Sequence, residues 1–343
     1  MDDKAKKPCY VIAEIGVNHN GDSALLDQLI IAAKNAGADA CKFQTFSADK
    51  LVAKDTQKVQ YQMSTTDENE THWEMLKALE LSHEMHIQAL DKCRELSIDF
   101  ISTPYDPDAV AYLAGLGVKT IKTASADIID HRIHHAVAAH GLDAIVAIGM
   151  ASMEEVRDAI TIYTSASITP TILHCVSNYP CAHESLNLSV MTELSEKFGV
   201  PVGFSDHSIG SVGAQISVSL GATVIEKHFT LDKTMQGPDH KASCTPEEFS
   251  QYVNDIRLAE TILGEPVKEL QSEEKEMHRV SRKSIVATHD IPAGAQLTEG
   301  MLTMMRPGTG LNGVDFYNLI GKTLARSVSK GEQLSWEHIE NSI

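Results

Sequence analysis

Between residues 10 and about 265, eight short apolar runs rich in β-forming residues alternate with longer stretches of helical periodicity. That alternation constrains the fold more than any other feature of the chain. The runs are VIAEI (11–15), ADACKFQ (38–44), IDFISTP (98–104), VKTIKTAS (118–125), AIVAIGM (144–150), TILHC (171–175), VPVGFSD (200–206) and ATVIEKHF (222–229). Between the first two, LLDQLIIAAKNAG (25–37) repeats its apolar positions every three or four residues and ends on glycine. Further on, MEEVRDAITIY (153–163) opens with acidic residues, where a helix dipole favours them. Continuous apolar strands separated by helices require a parallel sheet with helices over its outer side. Eight such units in about 255 residues match the size of a (β/α)8 TIM barrel. A doubly wound open sheet is the alternative. It fits less well, because polar residues crowd the C-terminal ends of nearly all eight runs, whereas an open sheet gathers its site at one switch point.

Two stretches break the rhythm. Residues 47–80 are long and polar, and a loop of that length inside a compact domain reads as a lid over the barrel mouth. Residues 265–282 are densely charged and read as a linker after a catalytic barrel spanning 1–264. The remainder, 283–343, reads as short strands and turns, with DIPAGAQLT and SVSKGEQLS as a weak internal repeat. A unit of that size is marginal alone and is expected to dock on something.

Composition narrows the function. A formal charge of −18 argues against a nucleic-acid partner, which calls for a basic face. It leaves an anionic substrate open, since a pocket can be locally positive on an acidic protein. No apolar run approaches the roughly 20 residues of a membrane helix, and MDDKAKKPCY leads into the first strand without a signal segment. A cytoplasmic protein with no membrane partner is the expectation. The six cysteines form no C-x-x-C pair, which argues against a thiolate zinc site.

In a barrel of this kind the chemistry sits at the C-terminal strand ends. There the sequence offers Glu14, Lys42, Gln44, Thr103, Lys122, Ser125, Asp127, Tyr179, Ser205, Asp206, His207, Glu226, His228 and Asp239. Lys42 and Lys122 are charges inside apolar strands, and a buried ammonium needs an anion. With the hydroxyls of Thr103, Ser125 and Ser205 they suit a small phosphate or carboxylate; the plainer alternative is neutralisation by Asp127 or Glu14. His207 and His228 end adjacent strands, so their imidazoles can converge on a divalent transition metal with open positions. Asp206 and Glu226 would then orient those rings. Glu14 is placed to position or deprotonate water, and His174, inside its strand, reads as structural.

The motifs AEIGVNHNG (13–21), KFQTF (42–46), STP (102–104), LHC and YP (173–180), GFSDHS (203–208) and IEKHFTLDKTMQGPDH (225–240) together resemble the sialic acid synthase family. The stretch RKSIVA, IPAG and RPGTGL resembles that family's antifreeze-like (SAF) domain, so the likeness runs over essentially the whole chain. It implies a domain-swapped homodimer in which each small domain covers the partner's site. His207 and His228 match metal ligands, for Mn2+ or Mg2+. Lys42, Thr103, Lys122, Ser125 and Ser205 match contacts to phosphoenolpyruvate. Gln44, Tyr179, Asp239 and Arg306 match contacts to the sugar, and Glu14 matches the acid that handles water.

The implied reaction joins phosphoenolpyruvate to an N-acetylmannosamine-type aldehyde, giving a sialic-acid-like nonulosonic acid and phosphate. The alternatives are a legionaminate-type synthase acting on a 2,4-diacetamido-6-deoxy hexose and a metal-dependent pyruvate aldolase. The chain departs from the family pattern at KTASAD, where Asp127 replaces a glutamate, and at AIGM, where Ala147 lacks a hydroxyl. Ser177 stands where some members have asparagine. These departures bear on the sugar.

Overall fold

The computed structural model describes residues 7–58, 66 and 70–340. Contacts divide the chain into two compact units, 1–264 and 265–343.

In the first unit, eight parallel strands close into a barrel in sequence order. They are β1 Tyr10–Gly16, β2 Ala40–Thr45, β3 Asp99–Pro104, β4 Thr120–Thr123, β5 Asp143–Ala147, β6 Thr171–His174, β7 Val202–Asp206 and β8 Val224–His228. The expected barrel is present; β1 is two residues longer than its apolar run, and the other strands are one to four residues shorter than theirs. Eight helices follow the strands: α1 Ser23–Asn35, α2 His83–Leu96, α3 Pro107–Gly115, α4 His131–Ala139, α5 Met153–Ser165, α6 Val190–Phe198, α7 Val212–Ser219 and α8 Pro246–Leu263. Their starts are written locally. Ser152 and Glu155 form a reciprocal capping box on α5, and Thr245 and Glu248 do so on α8, where Pro246 occupies the first turn.

Side chains alternate across each strand, so odd and even positions face opposite layers. Val11, Ala13, Cys41, Phe43, Ile121, Val146, Ile172, Phe204 and Ile225 join the large core between strands and helices. Their neighbours Ile12, Ala40, Ile101, Ile145, Leu173 and Val224 form a separate apolar cluster inside the barrel. Two residues further along β1, β2, β3 and β8 the interior positions turn polar, with Glu14, Lys42, Thr103 and Glu226, and Ser205 joins them from β7.

Both described ends of the 47–80 segment carry short helices, Ala48–Leu51 and His72–Ala78. Met75 and Leu79 pack with Val17 and Phe46 near the mouth. Residues 59–65 and 67–69 of the expected lid lie outside the described residues.

In the second unit, the 265–282 stretch includes a helical turn, Lys275–Ser281. Strands β9 Ser284–Ala287 and β10 Leu302–Met305 pair antiparallel over a core that includes Ile285, Ile291, Leu297, Val328 and Leu334. The weak repeat is structural. Ile291 and Val328, equivalent positions in its two copies, bridge one another. Gly294 and Gly331, also equivalent, turn the chain at φ of +80° and +81°, where a side chain would be strained.

Candidate active site

Lys42 and Lys122 reach the barrel interior from β2 and β4 and are both buried. Lys42 Nζ lies 2.6 Å from Glu14 Oε2 and 3.7 Å from Glu226 Oε2, and it donates to Thr103 Oγ1 at 3.1 Å. Lys122 Nζ lies 3.2 Å from Glu226 Oε1. The neutralising reading therefore holds for Glu14 and fails for Asp127: the partner of Lys122 is Glu226. Asp127 sits in the turn after β4, with Oδ2 buried and unbonded, and burial together with Asp130 pushes its carboxyl up to about 6.

Glu226 has a larger role than the sequence suggested. It sits between the two lysines and reaches a histidine ring only indirectly, accepting at 2.8 Å from Ser205 Oγ, which lies 3.3 Å from His207 Nε2. Burial works against its charge, but Lys122 and Lys42 outweigh that and hold its carboxyl below the usual range. Glu14 moves the other way: burial raises it against the pull of Lys42. The signal for Glu226 was available, since it is an acid on an apolar strand with the same parity as His228. Asp206 touches neither ring directly: its carboxylate bonds to Lys227, Tyr252 and Ser208 on the outer side of the strand.

The two histidines do converge, with ring centroids 5.7 Å apart. His207 Nδ1 lies 2.7 Å from the Val176 carbonyl, which can only accept, so Nδ1 carries the proton and Nε2 keeps a lone pair. Burial lowers His207 to about 4, and burial with the neighbouring His207 lowers His228 further, so both rings are neutral near pH 7. His228 Nδ1 is buried without a hydrogen bond, 3.9 Å from Asp239 Oδ2. His207 Nε2 lies 3.3 Å from Ser205 Oγ, and two neutral, converging imidazoles fit a divalent ion. Among the described residues no third His, Cys, Asp or Glu completes a cluster, so remaining positions would fall to water and substrate.

Around this centre lie the other candidates. The Tyr179 ring lies tilted 4.1 Å from His207 and edge-on 5.4 Å from His228, centroid to centroid. Gln44 donates to Glu14 Oε1 at 3.2 Å and accepts from Tyr105 at 3.2 Å. Burial and the charge of Glu14 push Asp239 up to about 7. Ser125 Oγ accepts from the Gly149 amide at 3.0 Å and contacts Cys175 Sγ at 3.1 Å. A Cβ on Gly149 would come within 2.5 Å of Ser177 Oγ and 2.9 Å of both Cys175 and Ser125. Three strand ends thus make a small cradle of donors with room for no side chain, and only Ser125 was singled out as a ligand contact in advance. His174 is structural, bonded at 2.7 Å to the Leu186 carbonyl. Arg306 lies in the second unit, where its Nε donates to Ser281 O at 3.0 Å.

Fold and site define a class: a (β/α)8 barrel enzyme with a buried, charge-lined mouth, followed by a small β unit. The NeuB family model matches residues 29–268 and the SAF domain model matches 282–340, and the chain belongs to the NeuB family. It is 43% identical over 337 residues to the N,N'-diacetyllegionaminic acid synthase of Legionella pneumophila, across 97% of this chain and 95% of that protein. It is 34% identical over 340 residues to N-acetylneuraminate-9-phosphate synthase of Mus musculus, across 98% and 94%. A crystal structure of N-acetylneuraminic acid (sialic acid) synthetase from Leptospira borgpetersenii in complex with citrate superposes with a TM-score of 0.70. That match is 33% identical and covers 79% of this chain and 90% of the other. The family resemblance in the motifs is borne out. Among the described residues no helix is long and apolar enough to cross a membrane.

Proposed function

We propose that this chain condenses phosphoenolpyruvate with an amino-sugar aldehyde, releasing phosphate and a nonulosonic acid. The carrying observation is the pair of buried lysines flanking Glu226, one interior step below two converging imidazoles. Lys42 and Lys122 neutralise the carboxylate and phosphate of phosphoenolpyruvate in a site where water cannot. Ser125, Thr103 and Ser205 supply hydroxyl donors to the same anion. Mn2+ or Mg2+ held by His207 and His228 would supply Lewis acidity toward the aldehyde oxygen. Carbon–carbon bond formation at C3 of phosphoenolpyruvate leaves C2 electron-poor. Glu14, raised by burial and poised beside Lys42, takes the proton of the water that adds there. Phosphate then departs by C–O cleavage. Gln44, Tyr179, Asp127 and Asp239 line the space for the sugar, and Arg306 reaches it from a partner subunit in a domain-swapped homodimer. The catalytic barrel spans 1–264, residues 265–282 link it, and 283–343 form the SAF domain. The protein works in the cytoplasm.

Identity of 43% to a diacetyllegionaminic acid synthase against 34% to a neuraminate-9-phosphate synthase favours a 2,4-diacetamido hexose over N-acetylmannosamine. Purified protein with Mn2+, phosphoenolpyruvate and each sugar in turn should release phosphate, faster with the diacetamido sugar. Release from neither, with condensation of free pyruvate instead, would turn the reading to an aldolase.

A further inference from the structure

On β7 and β8 the residue before each histidine points out of the barrel. Asp206 and Lys227 are register partners across the two strands, with Lys227 Nζ 3.0 Å from Asp206 Oδ2. Tyr252 of α8 donates to the same oxygen at 2.9 Å, and its ring lies 5.2 Å from the lysine Nζ. Asp206 Oδ1 accepts from the Ser208 amide at 2.8 Å and from its hydroxyl at 2.7 Å. Lys227 also donates to the Ser208 carbonyl. All four side chains are buried. Every lone pair of the carboxylate is used, and one point ties together β7, β8, the loop after β7 and helix α8.

A buried ion pair of this kind contributes little net stability over apolar residues of the same volume. Its geometric effect is larger. Adjacent residues on a strand share a peptide unit, so a clamp fixing Asp206 against Lys227 also fixes His207 against His228 on the inner face. The strand ends have other ties: the His207 carbonyl accepts from Cys181 at 2.8 Å, the His228 carbonyl accepts from Cys244 at 2.8 Å, and His207 Nδ1 donates to the Val176 carbonyl at 2.7 Å. On the inner face, one step deeper, Ser205 Oγ donates to Glu226 Oε1 at 2.8 Å and lies 3.3 Å from His207 Nε2. The Asp206–Lys227 pair joins the two residues that directly precede the histidines.

We propose that Asp206 and Lys227 are positioning residues for the two-histidine site, setting the separation of His207 and His228 from behind the barrel wall. The inference rests on the reading of those histidines as metal ligands. Neither residue touches substrate or metal, so the readout is metal affinity in the full-length protein without substrate. Mn2+ titration by calorimetry or electron paramagnetic resonance, well below each variant's own unfolding midpoint, should show Lys227→Met and Asp206→Asn binding about 10–100-fold more weakly. The two losses should not add, because either change releases the same clamp. A purely structural pair would instead lower the unfolding midpoint of the metal-free protein and leave Kd unchanged in the folded variants, which overturns the proposal. If Lys227→Met fails to fold, Tyr252→Phe removes one donor without changing shape, and an unchanged Mn2+ affinity there overturns it equally. His207→Ala separates the two ideas. Undiminished Mn2+ binding in that variant removes the ligand reading and the positioning role with it, whereas lost binding there beside full affinity in Lys227→Met removes only the latter.

Discussion

Glu226→Gln offers the sharpest test of the charge balance inside the barrel. In the parent, two buried carboxylates face two buried ammonium groups. At an effective dielectric of about 20, unit charges 3.2 Å apart attract by about 5 kcal/mol, an attraction that offsets the desolvation of both groups while the pair is intact. The variant keeps the shape and strands Lys122 as a buried cation. Removing one partner of such a pair costs about 3–5 kcal/mol. For a barrel of this size that lowers the unfolding midpoint by about 6–20 °C. Inorganic phosphate should reverse much of the loss, because it brings back the missing negative charge. At about 100 times its Kd it returns about 2.7 kcal/mol, or about 5–11 °C. The charge-balanced parent should gain less. Circular-dichroism melts of metal-free parent and variant, with and without phosphate, decide the matter. An unshifted midpoint in the variant, or equal gains for both proteins, would refute the view of this ring as an anion site held in check by its own carboxylates.

Four further outcomes are expected. Glu14→Gln should lower turnover by about 10²–10⁴-fold while leaving phosphoenolpyruvate affinity nearly intact, seen as a change in kcat without a matching change in Kd. A chelator should abolish activity and added Mn2+ restore it; full activity after metal stripping would remove the metal from the mechanism. Arg306→Ala should raise KM for the sugar, and mixing it with Glu14→Gln chains should recover activity after subunit exchange, since a swapped dimer then holds one intact site. Burial holds His19 neutral, down to about 4 from an unfolded value of about 6.5. Its contribution, on the order of 3 kcal/mol, is whole above pH 6.5 and lost as pH falls toward 4, so midpoints measured across that window should fall steeply.

The barrel was legible because its two periodicities are coarse: eight apolar runs, each followed by a helix, most of them capped by a side chain. The site was legible in outline for the same reason, since Lys42, Lys122, His207 and His228 are conspicuous in apolar strands. Side-chain parity was harder to use. Asp206 and Glu226 each lie one or two residues from a histidine, and proximity in sequence suggested that both would support the rings. Counting by twos separates them: Glu226 shares its face with His228, whereas Asp206 and His207 face opposite layers. The pairing of Lys122 with Glu226 rather than with Asp127 was out of reach, because it depends on the curvature that brings β4 across the barrel from β8. The Gly149 cradle was equally hidden, since an absent side chain leaves no residue type to notice.

The interior cluster of Ile12, Ala40, Ile101, Ile145, Leu173 and Val224 has a kinetic meaning as well. Among the described residues it fills the barrel below the charged side chains, so the charged layer is reached from the end of the barrel where the histidines sit. Glu226 and Ser205 lie deeper than His228 and His207 on the same strands, so an anion seated against the lysines rests beneath anything that meets the imidazoles. Traffic through that end is first in, last out: the small anion must load before the larger sugar covers it.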